Sequence, residues 1–236
     1  RRQRQMCRRD RLVSNPDIRA AEQAGAFVRK GRAILRYLGT CDGNMEQGSM
    51  RADVNVSVRH PGEGLGTRTE IKNVNSIRFI QQAISHEVKR QIKIIEGGGV
   101  VEQETRQFDA VAGTTRPMRN KEEANDYRYF PDPDLPPLSI SKRWVKEIKT
   151  RLPELPEIRR TRFVTEYGIP DYDASLLTAS KTTADFFEAA VLSNRETGGK
   201  HKRLAKLIAN WMNGEVARLL NSSSKSLSET SLQPQH

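Results

Sequence analysis

Along residues 51 to 59 apolar and polar side chains alternate without a break. Ala52, Val54, Val56 and Val58 fall on one side, and Arg51, Asp53, Asn55, Ser57 and Arg59 on the other. A period of two belongs to a half-buried β-strand. Thr67 to Lys72 repeats the pattern, with Arg68, Glu70 and Lys72 sharing a face, and the turn-rich segment from His60 to Gly66 predicts a hairpin between the two runs. A third alternating run, Val100 to Phe108, sets Glu102, Glu104 and Arg106 on one side. The first two runs can lay two charged rows on one sheet face. Such a row could hold a phosphate and a metal together, or it could be a salt-bridged solvent face, since opposite charges across a hairpin stabilise it modestly.

The other periodicity is helical. Ala24, Phe27, Val28, Gly31, Leu35 and Leu38 form a stripe that predicts a helix from about Asp17 to Leu38, with Gly39 just past its end. Asn73 to Ser76 offers capping residues for a second helix, Ile77 to Glu96, whose stripe is Ile77, Ile80, Ile84, Val88, Ile92 and Ile95 and which Gly97-Gly98-Gly99 stops. Residues 109 to 125 read as an irregular connection. The segment from Asp126 to Leu138, rich in proline and aromatic residues, reads as an ordered extended stretch that packs Tyr127, Tyr129 and Phe130 on the preceding domain.

Beyond Lys142 helices are predicted at 142–151, 157–167, 181–194 and 201–220, punctuated by Pro153, Pro156, Pro170 and Gly198-Gly199. Phe186, Phe187, Ala190 and Val191 give one an apolar face; Leu204, Leu207, Ile208, Trp211, Val216 and Leu219 do so for another. The pattern therefore predicts an α+β fold: an α+β domain over 14–140 and an all-α domain over 141–220. A basic arm or ragged start precedes them at 1–13, and a Ser-rich disordered tail follows at 221–236.

Composition narrows the classes. The 236 residues are 36% hydrophobic, with a mean hydropathy of −0.70, and no apolar run approaches the roughly 20 residues that span a membrane. No apolar segment follows the basic N-terminus, so no signal peptide is visible. Cys7 and Cys41 form neither a disulfide framework nor a zinc spacing, which suits a reducing compartment. His60, His86, His201 and His236 are scattered and form no metal set. The net charge of +11 and pI near 9.9 favour a polyanionic partner, RNA or DNA. No helix-turn-helix, zinc or basic-zipper pattern supports DNA.

The order of motifs is more specific. Gly43-Asn44-Met45-Glu46-Gln47-Gly48-Ser49-Met50-Arg51-Ala52-Asp53-Val54-Asn55-Val56-Ser57 is followed by Thr69-Glu70-Ile71-Lys72-Asn73-Val74-Asn75-Ser76. Gln103-Glu104-Thr105-Arg106, Met118-Arg119-x-Lys121-Glu122 and Asp126 to Asp134 come next. From about Val13 to Leu220 the chain resembles the B-subunit family of the aspartyl/glutamyl-tRNA amidotransferases. That resemblance implies a cradle-like sheet domain and a ligase forming a carbon–nitrogen bond with glutamine as amido donor. It implies ATP and Mg²⁺ as cofactors and a misacylated Glu-tRNA(Gln) or Asp-tRNA(Asn) as substrate. As partners it implies the amidase and the small bridging protein that complete a heterotrimer. It implies neither DNA nor membrane as a partner, and a bacterial cytoplasmic location, with the mitochondrial matrix as alternative.

The resemblance also assigns roles. Glu46, Asp53 and Glu70 become the metal carboxylates, since a hard cation takes carboxylate oxygens. Arg51, Arg59 and Lys72 become the charge-neutralising groups, and Asn55, Ser57 and Asn73 the hydrogen-bonding ones. Asp126, Asp132 and Asp134 read as turn formers beside proline.

The chain departs from the family in three ways. It has no counterpart of the N-terminal Gly-Leu-Glu-x-His motif or of the C-terminal tail domain. It carries Arg11-Leu12-Val13-Ser14-Asn15-Pro16-Asp17 where the family has two glutamates. It has Gln47 at a usually acidic position. A fragment inactive in isolation is the expectation, and a non-catalytic tRNA-binding or assembly module the alternative.

Overall fold

The computed structural model describes residues 12–118, 139–193 and 199–235. Residues 1–11 of the expected basic arm over 1–13, and the aromatic segment 126–138, lie outside the described residues. The fold is α+β. Its elements run α1 (Ala21–Tyr37), β1 (Val54–Val56), β2 (Thr69–Lys72), α2 (Ile77–Glu96), β3 (Thr105–Asp109) and β4 (Thr114–Pro117). They continue with α3 (Lys142–Arg151), α4 (Pro156–Tyr167), α5 (Asp171–Leu177), α6 (Lys181–Ser193), α7 (Gly199–Trp211) and α8 (Ala217–Ser223). Contacts divide the chain into two compact units, Arg1–Arg32 with Gly43–Lys149, and Ala33–Asp42 with Thr150–His236.

The first unit is built on a four-stranded sheet of order β1-β2-β3-β4, antiparallel except for the parallel β2–β3 pair. The parallel pair needs a crossover, and α2 supplies it. Ser76 starts α2 by accepting the Phe79 N–H at 3.1 Å, and the helix ends at Gly97. The core gathers Val56, Ile71, Val74 and Phe108 from around the sheet with Ile80 and Ala83 of α2, and adds Ala24 of α1 and Met45. A Cβ at Gly25 of α1 would stand 2.6 Å from the side-chain amide of Gln81 on α2, which would have to turn aside for any larger residue.

The helix face that α2 buries overlaps the predicted apolar stripe, with Ile80 buried and Ile77, Ile84 and Val88 packed at its margin, but is centred to one side of it. Its buried residues are Ile80, Ala83, Glu87 and Gln91, while Ile92 is exposed. Glu87, fully buried, accepts three hydrogen bonds from Arg90, one from the Gln91 amide at 2.9 Å and one from Thr115 Oγ1 at 3.2 Å. Arg106 Nε lies 3.7 Å from it, and Glu104 bridges Arg90 and Arg106. Glu104 and Arg106 therefore belong to a partly buried ion network and not to a solvated strand face. The Gln91 amide donates to Val56 O and Thr69 Oγ1 and accepts from Val58 N at 3.0 Å. A side chain thus takes up backbone groups at the end of β1, and the strand stops at Val56 although the alternation runs to Arg59.

Other differences have local causes. β4 falls inside the expected irregular connection: Thr-Thr-Arg-Pro pairs through its backbone with no apolar alternation to betray it. β3 begins only at Thr105 and ends at Asp109.

The second unit packs Phe163, Tyr167, Ile169, Leu177, Phe187 and Val191 against Ala205, Ala209 and Met212. Three rings meet at 5.0 to 5.4 Å between centroids. α7 meets this bulk with Ala205 and Ala209, both fully buried, and with Ile208 at the margin, while Leu207, Trp211 and Leu219, predicted to face inward, are more than half exposed. The predicted 201–220 helix is broken by a π-turn at Met212–Val216, and α5 was not foreseen. The expected disordered tail carries the end of α8 and a short 3-10 turn, Leu227–Glu229, whose Leu227 packs on the core. Arg159, almost fully buried, donates to Asp185 and Glu188, and Arg162 to Glu154, Glu166 and Glu188. Tyr37 belongs to this unit: its hydroxyl donates to Thr178 O at 2.6 Å, and burial pushes its pKa up to about 12.

The Glu87 cluster sets a pH dependence. Burial alone would raise its carboxyl; the hydrogen bonds from Arg90 and Gln91, with the charges of Arg90 and Arg106, outweigh that and hold it below the ordinary 4.5. A depressed folded value stabilises the fold above the unfolded value and loses that contribution as pH falls through the folded one. Glu87→Gln is expected to cost about 2 kcal/mol at pH 7. Its urea-unfolding stability is expected to fall less steeply below pH 4.5 than that of the parent chain.

Candidate functional site

The register settles which polar residues share a face. Asn55 lies opposite Glu70, with Val54 opposite Ile71 and Val56 opposite Thr69. Glu70 in turn lies beside Thr105, and Lys72 beside Gln107, which faces Arg116. The sheet surface away from α2 thus carries Asn55, Glu70, Lys72, Thr105, Gln107 and Arg116. Continuing the β1–β2 register one step past the ladder sets Asp53 opposite Lys72, and one step the other way sets Ser57 opposite Arg68. Asn55 of the first predicted row thus shares a surface with Glu70 and Lys72 of the second.

Each expected site residue has a distinct setting. Glu70 is half-buried; its carboxylate lies 3.4 Å from Lys72 Nζ and accepts from Thr105 Oγ1 at 3.2 Å. Arg51, Asp53, Asn55 and Ser57 are exposed, and their side chains make no hydrogen bond or ion pair with another described residue. Arg59 does not join the row, because its guanidinium donates to Glu63 O in the hairpin loop. Glu46 is exposed on a turn that Asn44 organises: its side-chain oxygen accepts the N–H groups of Glu46 and Gln47 at 3.0 and 3.1 Å. Gly48 follows in the left-handed region (φ 74°), and the Arg51 guanidinium rests over it at 3.2 Å from where a Cβ would stand.

Among the described residues no three His, Cys, Asp or Glu side chains gather closely enough to hold a metal ion. Glu46, Asp53 and Glu70 are therefore not brought together as a ready-made cage. Hard-oxygen donors at Asp53 and Glu70 still share the sheet surface, and Mg²⁺ commonly takes only one or two carboxylates beside substrate phosphates and water. The donor set fits such a cation without enclosing it.

Sequence reasoning missed the contribution of the β3–β4 pair. Two shallow depressions border the row. Arg68, Glu70, Gln103, Glu104 and Thr105 line one; Asn73, Gln107, Phe108, Asp109, Ala110 and Arg116 line the other. The signal lay in the Gln103-Glu104-Thr105-Arg106 motif, but its faces could not be assigned without the parallel pairing. Asp109 is held below the usual carboxylate range first by the Ala112 N–H, then by the Val111 N–H and Arg116. Asn73 stands in the left-handed region (φ 66°), and its amide donates to Phe108 O at 3.1 Å. Asparagine tolerates that backbone better than other branched or bulky residues. Asn73→Gly is expected to lose only that hydrogen bond, about 1 kcal/mol. Asn73→Val adds backbone strain and is expected to cost about 1 to 3 kcal/mol more in urea unfolding.

A family model described as the GatB/GatE catalytic domain matches residues 11–146, which include every strand of the sheet. The chain is similar to the B subunit of the aspartyl/glutamyl-tRNA(Asn/Gln) amidotransferase from Methylocella silvestris, at 60% identity over 94% of the chain. The protein of the same name from Beijerinckia indica is 59% identical over 94%, and that from Methylobacterium nodulans 60% identical over 89%. The chain spans 44%, 44% and 41% of the length of these relatives. At this identity, and with the family model covering more than half of its length, the chain belongs to the GatB/GatE catalytic-domain family.

Proposed function

We propose that this chain carries part of the carboxylate-activating site in the B subunit of a tRNA amidotransferase, working in a complex with an amidase and a small third protein. The observation that carries the reading is the unpaired row Arg51, Asp53, Asn55 and Ser57 beside the Glu70–Lys72 pair, all within the segment that the family model matches. The substrate of the reading is Glu or Asp misattached to tRNA(Gln) or tRNA(Asn), and its chemistry explains the residue types. A side-chain carboxylate resists ammonia because oxide would have to leave. In the first step a carboxylate oxygen bonds to the terminal phosphorus of ATP, and the bond from that phosphorus to ADP breaks. In the second, ammonia bonds to the acyl carbon, phosphate departs with the electron pair, and the nitrogen sheds a proton.

Lys72 and Arg51 neutralise charge where phosphoryl oxygens and the carboxylate approach one another, which is where phosphoryl transfer gains most. Asn55, Ser57 and Asn73 orient the amino-acid moiety or the nucleotide by hydrogen bonds. Glu70, Asp53 and Glu46 are the carboxylates that would hold Mg²⁺, which would supply further charge neutralisation there. The Thr105 hydroxyl and Lys72 fix the Glu70 carboxylate on the strand, so its position does not depend on ligand. Arg59, turned toward Glu63, stands outside this set.

Asp53→Asn and Lys72→Met, made in the complete complex, are expected to lower tRNA-dependent ATP hydrolysis about a hundredfold, while glutamine hydrolysis by the amidase persists in part. Near-normal rates in both variants, with only a small loss of melting temperature, would mean that the row is a solvated sheet surface.

A further inference from the structure

Of the two depressions that border the polar row, one is electrically closed and the other is not. In the first, the Arg116 guanidinium lies 2.6 Å from Asp109, and the Asn73 amide is committed to Phe108 O. In the second, Arg68, Glu70, Gln103, Glu104 and Thr105 surround a volume of about 140 Å³. Both of its carboxylates already have partners. Glu70 meets Lys72 Nζ at 3.4 Å and the Thr105 hydroxyl at 3.2 Å; Glu104 meets Arg90 at 3.0 Å and Arg106 at 2.8 Å. Arg68 is exposed, and its side chain makes no hydrogen bond or ion pair with another described residue. A guanidinium beside two carboxylates has a strong, charge-assisted partner within reach in each. Here other cations hold both, so the charge of Arg68 is left uncompensated beside a concavity.

The walls of this depression are fixed by the sheet. Glu70 N donates to Glu104 O at 3.0 Å, which ties β2 to β3 at its level. Glu104 is anchored from behind through Arg106, which lies against buried Glu87. Extending the parallel β2–β3 register two residues back sets Arg68 beside Gln103, an exposed residue whose amide adds two N–H donors. Along β2 the outward residues run Arg68, Glu70, Lys72, so two cations flank the carboxylate with their Cα atoms about 13 Å apart. Arg51 also lacks a partner among the described residues, but it lines neither depression.

We infer that Arg68 is an anion-binding residue of the site and takes the terminal phosphoryl group of the nucleoside triphosphate, with Gln103 donating beside it. A guanidinium offers paired N–H groups to two phosphate oxygens at once, which an ammonium does not. Pockets that enclose a whole ligand run from about 300 Å³ upward, so this smaller depression suits one phosphoryl group and not a nucleotide. The assignment leaves Lys72, on the far side of Glu70, for the substrate carboxylate. The identity of the anion rests on the carboxylate-activation reading; the uncompensated charge and the concavity stand without it.

The test uses the complete amidotransferase complex. Arg68→Met is expected to weaken binding of the β,γ-imido analogue of ATP about tenfold, read by titration calorimetry with Mg²⁺ present, and to leave ADP binding within about twofold. Arg68→Lys is expected to recover part of the loss, since it keeps the charge without the fork. Arg143→Met on α3 removes the same charge elsewhere and is expected to change neither affinity. Because the Arg68 side chain has no internal partner, the melting temperature of Arg68→Met is expected to stay within about 1 °C of the parent. Equal losses for the analogue and ADP would make Arg68 a general support of the site and overturn the inference, as would unchanged affinity for both. Weaker binding of misacylated tRNA with analogue affinity intact would give Arg68 to an RNA phosphate and overturn it likewise. Failure of the carboxylate-activation reading would appear separately. ATP hydrolysis would then be normal in the Asp53 and Lys72 variants, while Arg68→Met still weakened the analogue.

Discussion

A carboxylate buried between a helix and a sheet governs the first unit. Taking Glu87 out of water costs several kcal/mol unless partners restore what hydration gave, so its neighbours are not free to vary. Arg90 and Gln91 come from its own helix, Arg106 from β3 and Thr115 from β4, while Gln91 reaches on to Thr69 of β2 and the backbone of β1. All four strands are thereby tied to one polar seam. A slip of one residue in any of them would place an apolar side chain against that charge and turn its other face inward. The outer row of Asn55, Glu70, Lys72 and Gln107 has its alignment because the inner side tolerates only one register. The polar surface and the buried ion network are two faces of one constraint.

Much of the architecture was legible in the sequence, and where it was not, the reason is physical. α2 was read to both ends because Ser76 and Gly97 mark them with local chemistry. Its buried face was read only in part because Glu87 and Gln91 lie beside the apolar stripe and not in it; their burial follows from partners on the strands, which periodicity does not see. β4 escaped for the same reason: Thr114 to Pro117 has nothing apolar to alternate, and its pairing comes from β3. In α7 the sequence offers leucines and a tryptophan as an apolar side, but the rings of Phe163 and Phe187 are met by Ala205 and Ala209, with Ile208 at the margin.

The candidate site was half legible. The alternation from Arg51 to Arg59 placed its residues on one surface without knowledge of the fold, and the motif order attached chemistry to them. The diversion of Arg59 to Glu63 depends on the hairpin loop, and the participation of Gln107 and Arg116 depends on a parallel pairing between segments some 35 residues apart. Neither leaves a trace in local spacing. The charge of +11 was visible from composition, but not which of its cations internal ion pairs consume. That choice follows from geometry: the guanidinium fork of Arg162 meets Glu154, Glu166 and Glu188, a demand an ammonium could not fill.

The bond from Tyr37 to Thr178 has a consequence for the order in which the chain acquires its structure. Those residues are 141 positions apart, and everything that builds the sheet lies between them. During synthesis the strands and α2 emerge and can consolidate while Tyr37 still waits for a partner. The helical unit is thus discontinuous along the chain, and its completion must close a loop that already contains a folded body. The entropy of closure grows only logarithmically with length, so the delay is more a matter of sequence in time than of free energy. A nascent chain halted before Thr178 would hold a finished sheet and a stranded phenol, a state that chaperones are suited to meet.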